Sequence, residues 1–163
     1  MRDLDLAYVA GFLDGDGAIM AEIERRMDLR AGVRIRIVVQ FAQKSTHADV
    51  LEHVRTVLGL GGAINRDNRS GCSYRLKDQA VVQRLLEALQ PHVVAKREQL
   101  ALALQVLATA DTGERSALAR QIAALNMRSR RGANEAAIPP VTTSGSTPGM
   151  AFTALTGANL RTP

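Results

Sequence analysis

The sequence predicts an α+β fold: an αββαββα core on one antiparallel, saddle-like four-stranded sheet, with helices on one face and extra C-terminal helices. Three observations carry this expectation. Two adjacent runs, Ala18 to Met27 and Val33 to Lys44, alternate apolar and polar residues with a period of two. A second, shorter pair of strand-like runs follows one helix later. Because the strands come in hairpin pairs, a βαβ winding with a parallel sheet does not fit.

Taken in order, Leu4 to Leu13 reads as a short helix. In the first strand Ile19, Ala21 and Ile23 point one way, and Met20, Glu22, Glu24 and Arg26 the other. A turn spans Asp28 to Gly32. In the second strand Val33, Ile35, Ile37, Val39 and Phe41 share the apolar face, opposite Arg34, Arg36, Val38, Gln40 and Ala42. Ser45 or Thr46 can cap a helix from about His47 to Leu58, whose buried stripe is Val50, Leu51, Val54, Val57 and Leu58. Ala63 to Arg66 and Cys72 to Lys77 form the second hairpin. Asp78 caps a helix to about Leu89, ended by Pro91, and two more helices follow, Val93 to Thr109 and Glu114 to Leu125. Beyond Asn126 the periodicity is lost. The expected organisation is one domain over residues 1–131 and a flexible tail over 132–163.

A chain of 163 residues can bury about two-thirds of its unfolded surface, so no disulfide staple is needed, and the single Cys72 offers none. No apolar run approaches the ~20 residues of a membrane span, and MRDLDL lacks the apolar core of a signal peptide. The expectation is an intracellular protein of the cytoplasm, or of an organelle stroma or matrix if encoded there, with no membrane partner. Net charge is +5 with a pI near 10.1, which allows nucleic acid or another anionic partner. Arginine outnumbers lysine 18 to 3; that suits phosphate and guanine contacts, and a GC-rich genome gives the same bias.

The sheet's second face is left open and studded with Arg, Glu and Gln. Antiparallel sheets often turn such a face to water. Its length suggests more. Ten residues at about 3.3 Å span roughly 33 Å, close to one turn of B-DNA at about 34 Å. A two-stranded ribbon fits the major groove, where Arg reads guanine, Gln reads adenine and Glu accepts from cytosine. Glu22 and Glu24 would repel phosphates, so beside Arg34 and Arg36 they favour base reading over charge attraction.

The stretch YVAGFLDGDGAI, Tyr8 to Ile19, is electrically odd. Asp14 and Asp16 stand at a helix C-terminus, which carries a partial negative charge. A divalent cation would relieve that pairing, with Asp oxygen as a hard ligand and the Gly15 carbonyl beside it. Gly11 sits inside the helix at a cost of about 1 kcal/mol against Ala. Ala7, Ala10, Gly11 and Asp14 share one face, the arrangement that lets a second backbone come close. D-x-D-G alone also fits a loop fragment, an incomplete calcium loop or the start of an aspartyl-phosphate phosphatase. The calcium loop lacks its closing Glu, and the phosphatase wants a buried strand before the first Asp.

At VAGFLDGDG the sequence resembles the LAGLIDADG homing endonucleases, keeping Ala10, Gly11, Asp14, Asp16 and Gly17. FAQK after the long hairpin, LQP…K before the fourth helix and QIAALN extend the likeness to the single-motif, homodimeric class, over about Leu4 to Asn126. The resemblance implies a homodimer paired through Ala7, Ala10, Gly11 and Asp14. Asp16 and the Gly15 carbonyl would hold Mg²⁺ or Mn²⁺, and Gln43 and Lys96 would complete a catalytic set with Asp16. His47 stands where close relatives carry Arg.

The implied substrate is double-stranded DNA, cut across the minor groove at a long pseudo-palindromic site to leave short 3′ overhangs. No small-molecule substrate is implied, and the gene would sit within an intron. Met20, Glu22, Glu24, Arg26 and Asp28 are candidate DNA contacts from the first strand and turn. Arg34, Arg36, Val38, Gln40, Ala42 and Lys44 join them from the second strand. Arg66, Ser73 and Arg75 come from the second hairpin, and Arg128, Arg130 and Arg131 would bind flanking phosphates. A non-cleaving binder on the same fold, such as an intron RNA maturase or a regulator, is the alternative.

Overall fold

The alternating runs form the long hairpin that their period implies. The structure is a computed structural model that describes residues 2–67 and 70–136, with 128–136 by backbone alone. β1 (Gly17–Arg25) pairs antiparallel with β2 (Val33–Lys44). β3 (Ile64–Arg66) pairs with β4 (Gly71–Leu76), and β4 joins β2, giving the sheet order β1-β2-β4-β3. Helix α1 (Asp3–Asp16) precedes the sheet and α2 (Ala48–Leu58) links its hairpins. α3 (Gln79–Leu89), α4 (Arg97–Ala108) and α5 (Thr112–Ala136) follow. Among the described residues no helix is long and apolar enough to cross a membrane.

The core lies between the helices and one face of the sheet. Ile19, Ile37, Val39, Phe41 and Tyr74 are fully buried there. Phe41 stacks between Phe12 and Tyr74, with ring centroids 5.9 and 6.2 Å away. The Tyr74 hydroxyl donates to the Gly61 carbonyl at 2.6 Å, so burying the ring leaves its polar tip satisfied. Helix stripes close the layer: Leu51, Val54 and Leu58 from α2, and Val82, Leu85, Leu86 and Leu89 from α3. These follow the three-and-four spacing of a helix face.

Asp78 caps α3 as expected, accepting the Val81 N–H at 2.9 Å. Neither Ser45 nor Thr46 caps α2. Ser45–His47 forms a turn of 3-10 helix, and the Ser45 hydroxyl donates to the Gly71 carbonyl at 3.1 Å, tying the end of β2 to β4. The fifth helix runs to Ala136, well past Leu125. Arg, Met and Ala are good helix formers, so the loss of apolar periodicity there marks the end of the buried stripe rather than of the helix. Residues 137–163 lie outside the described part.

One side chain extends the sheet. β4 reaches along β2 only to Val39. Beyond that point the Gln79 carboxamide accepts the Ile37 N–H and donates to the Ile37 carbonyl, both at 2.9 Å. It thereby reproduces what a strand residue would offer. Arg115 serves the next position, donating to the Ile35 carbonyl at 3.1 Å. Gln79→Ala should therefore lower the unfolding free energy by about 1–3 kcal/mol, the range for orphaned buried partners. Urea unfolding checks this, and an unchanged midpoint would count against it.

Candidate active site

The motif closes α1 and starts β1 without a loop. A Cβ on Gly17 would lie 2.6 to 2.8 Å from the side chain, Cα and carbonyl oxygen of Leu13, so only glycine lets the chain turn there. This fixes Asp14 and Asp16 against the sheet's end.

Asp14 faces inward. Its carboxylate accepts the backbone N–H groups of Val94 (2.7 Å), Ala95 (3.0 Å) and Lys96 (3.0 Å). These N–H groups precede α4 at that helix's positive end. Burial raises the Asp14 pKa, but the three N–H bonds, aided by the Lys96 charge, outweigh it and hold the carboxyl below its ordinary range. The positive partner that α1 needs for Asp14 is thus the start of α4. The same contact explains why α4 begins at Arg97 instead of Val93. Asp14, expected near the contact between two copies of α1, has its carboxylate engaged within one chain by the start of α4.

Asp16, Gln43 and Lys96, from three distant parts of the chain, converge at this end. Gln43 Nε2 donates to Asp16 Oδ2 at 2.7 Å. The Cys72 thiol holds the Gln43 strand end by donating to the carbonyls of Gln43 (3.3 Å) and Lys44 (3.4 Å). Lys96 Nζ donates to the Asp14 carbonyl. Burial pushes the Lys96 pKa down, and Asp14 and Asp16 partly restore it. A cavity of about 180 Å³ behind the motif is lined by Gly15, Gly17, Lys96, Gln99 and Asn126. Gln99 is buried, and Asn126 donates to the Ile19 carbonyl at 2.9 Å; neither stood out in the sequence as polar groups of this end.

The metal expectation fits these residues in part. Asp16 is exposed and carries one hydrogen bond among the described residues, leaving Oδ1 open beside Gly15. That is a hard anionic oxygen, suited to Mg²⁺. Among the described residues of one chain, however, no three His, Cys, Asp or Glu side chains gather to hold an ion. Within one chain the described residues bring a single open carboxylate, Asp16, to this end.

The open sheet face meets the active site at β2 and β4. A concavity of about 410 Å³ is lined there by Gln40, Ala42, Asn65, Arg66, Ser73 and Arg75. Asn65, missed by the periodicity because β3 is only three residues long, stands opposite Ser73. Met20, Ala42 and Lys44 also reach the surface of this face. Val38 does not: it is fully buried and presents nothing to a ligand. Arg26 is held by Asp28 at the hairpin turn, at 2.7 and 2.8 Å. Arg128, Arg130 and Arg131 have side chains outside the described residues.

The outer face of α1 is apolar and bare. Leu4 is 79% and Tyr8 45% exposed, and Ala7, Gly11 and Gly15 are exposed beside them. Ala10 is not part of this face, being fully buried with Val9 and Leu13. A Cβ on Gly11 or Gly15 would meet nothing within 4 Å. Nothing among the described residues accounts for glycine at either place.

Residues 9–103 match the family model described as LAGLIDADG endonuclease. The chain is 31% identical over 104 residues to DNA endonuclease I-CvuI of Chlorella vulgaris, covering 64% of each protein. It is 30% identical over 102 residues to DNA endonuclease I-CreI of Chlamydomonas reinhardtii, covering 63% of this chain and 61% of that one. The matches thus span less than two thirds of either curated relative. Its fold is similar to crystalline I-CvuI in complex with its target in the presence of 2 mM Ca, with a TM-score of 0.69 and 28% identity over 75% of this chain and 82% of that one.

Proposed function

This chain belongs to the LAGLIDADG endonuclease family, and from that premise we propose that two copies form a site-specific, divalent-metal-dependent DNA endonuclease. The observation that carries the reading is the convergence of Asp16, Gln43 and Lys96 at the end of an open, cation-bearing sheet face. That the relative I-CvuI was crystallised on its target with calcium present supports both the substrate class and the metal class.

Dimerisation uses the bare face of α1. Packing Leu4, Ala7, Tyr8 and Gly11 against their copies removes apolar surface from water. It brings the two Asp16 residues together at a twofold axis and completes the half-site that one chain provides. Two neighbouring carboxylates repel, which favours cation uptake there. Asp16, with the Gly15 carbonyl, would hold the metal, Mg²⁺ or Mn²⁺. Bound there, a divalent cation supplies Lewis acidity toward the scissile phosphate and toward the water that attacks it.

The chain's own residues do the rest. Gln43, anchored on Asp16, has no useful proton of its own and orients water. Lys96 offsets charge building on the phosphate, and its lowered pKa makes it a readier proton donor than a free lysine. With the two sites related by the dyad, the cuts would straddle the minor groove and leave short 3′ overhangs. The two sheet faces would read a long, near-palindromic target. Intron encoding belongs to the same reading.

Incubation with Mg²⁺ and a plasmid library of randomised targets tests it. Cleaved plasmids should share one pseudo-palindromic sequence. Retention of duplex without any cut would replace the enzyme with a non-cleaving binder. The dimer has its own test. Gly11→Leu should weaken association by about 2–4 kcal/mol, as for a blocked interface centre, roughly 30- to 1,000-fold. Gly11→Ala should leave the monomer intact or up to about 1 kcal/mol more stable. Sedimentation at micromolar protein reads the first and urea unfolding the second, and a Gly11→Leu dimer of undiminished affinity would move the interface elsewhere.

A further inference from the structure

The charges in the middle of the open face are not paired as their register would dictate. Glu24 stands opposite Arg34, and Glu22 opposite Arg36. Yet both Glu24 oxygens accept from Arg36 Nη2, at 3.0 and 2.8 Å. Glu22 reaches across β2 to Lys77 Nζ, at 3.3 and 3.4 Å. Lys77 follows Leu76, which pairs with Val39, so it lies level with Val38. Each carboxylate therefore holds a cation one same-face step nearer the active site than the one its register offers. Arg34 is left without an ion pair among the described residues.

We propose that Glu22 and Glu24 do not read bases but position Lys77 and Arg36, and that these two cations set the sequence preference in the middle of each half-site. The proposal rests on the endonuclease reading and assigns roles within its DNA face. A carboxylate reads cytosine by accepting from its amino group, but here the acceptor oxygens already face a cation. Opening either pair beside phosphates would leave a like charge uncompensated. Keeping the pair neutralises the acid and leaves the cation's remaining donors available. Arg36 uses Nη2 for Glu24 and its Nε is buried with no partner among the described residues, so Nη1 is the nitrogen left for a base. Lys77 has three donors and a single carboxylate. All four side chains remain 25 to 45% exposed, so neither pair is sealed from solvent.

A cation held before binding loses less rotamer freedom when it docks, which favours fixed donors aimed at guanine O6 and N7. The levels of Lys77 and Arg36 differ by two residues of β2, about 6.8 Å. That corresponds to about two base-pair steps of 3.4 Å. Two guanine preferences are expected at about that spacing, the Lys77 one nearer the cleavage centre. The alternation puts Lys77 two residues beyond Arg75 on the same face, at the end of the run read as a strand, and gives it no partner.

The test uses a duplex library randomised across the half-site, retained on the protein without metal and then sequenced. Wild type should enrich guanine at the two positions. Lys77→Met should lose the inner preference about tenfold and keep the outer one. Glu22→Gln should weaken that same inner guanine, and Glu24→Gln the outer one. Matching thermal unfolding of the variants establishes that they fold. A Lys77→Met profile superimposable on wild type would overturn the proposal. So would loss of a cytosine preference in Glu22→Gln, the signature of direct reading. A wild type that retains no duplex would overturn the nucleic-acid reading as well.

Discussion

Asp16→Asn should lower double-strand cleavage by about 10³-fold or more, some 4 kcal/mol of barrier, while duplex binding stays within about threefold of wild type. The reason lies in what the substitution leaves unchanged. Asp16 is exposed, and its one hydrogen bond among the described residues comes from Gln43. An Asn oxygen still accepts that bond, so the motif end keeps its shape. What would disappear is the anionic charge that, in the proposed dimer, draws a divalent cation to the dyad. Binding in the proposed function would draw instead on the sheet face and its arginines, which lie away from the substitution. Single-turnover cutting of a supercoiled target, beside a gel-retardation series, separates the two. Cleavage within tenfold of wild type would remove Asp16 from its role and move the metal-binding carboxylate elsewhere.

The parts of this molecule that could be read from sequence are those set by local pattern. Alternation over Val33 to Lys44 marked both the strand and its buried face, because a pleat forces period two on any half-buried strand. Asp78 stood out as a cap because capping involves only its own helix start. Gln43 and Lys96 are far from Asp16 in the chain, and only the family resemblance singled them out. Choices among distant partners stayed illegible. Glu24 could have taken Arg34 or Arg36, and the alternation says nothing of which. Val38 follows the polar face by count, yet lies buried where the Glu22–Lys77 pair spans β2. Ala10 and Gly11 are adjacent in the same helix, and their opposite fates depend on where the core lies around it.

Asp14→Asn should cost both stability and turnover, and the two losses should respond differently to pH. Asp14 Oδ2 accepts two N–H groups and Oδ1 a third. Replacing either oxygen with an amide NH₂ sets donor against donor and removes the charge. The expected loss is about 1.5–3 kcal/mol, the range for hydrogen bonds to a charged group. The carboxyl's pKa is lowered in the fold, so its contribution is fully present above the unfolded value of about 3.9. It is lost as pH falls through the lower folded value. The stability gap between wild type and Asp14→Asn should thus be full near neutrality and close as acid protonates Asp14, since a protonated carboxyl resembles the amide. Urea unfolding at several pH values reads this, and a gap of constant size would assign the effect to shape alone. The loss in turnover has another origin. The Lys96 N–H and Nζ both bond to Asp14, so loosening that grip would displace the ammonium from the place proposed for it at the scissile phosphate. A shift of about 1 Å can cost roughly 10²-fold. That loss should fall on kcat with KM little changed, and persist at neutral pH in protein shown to be folded.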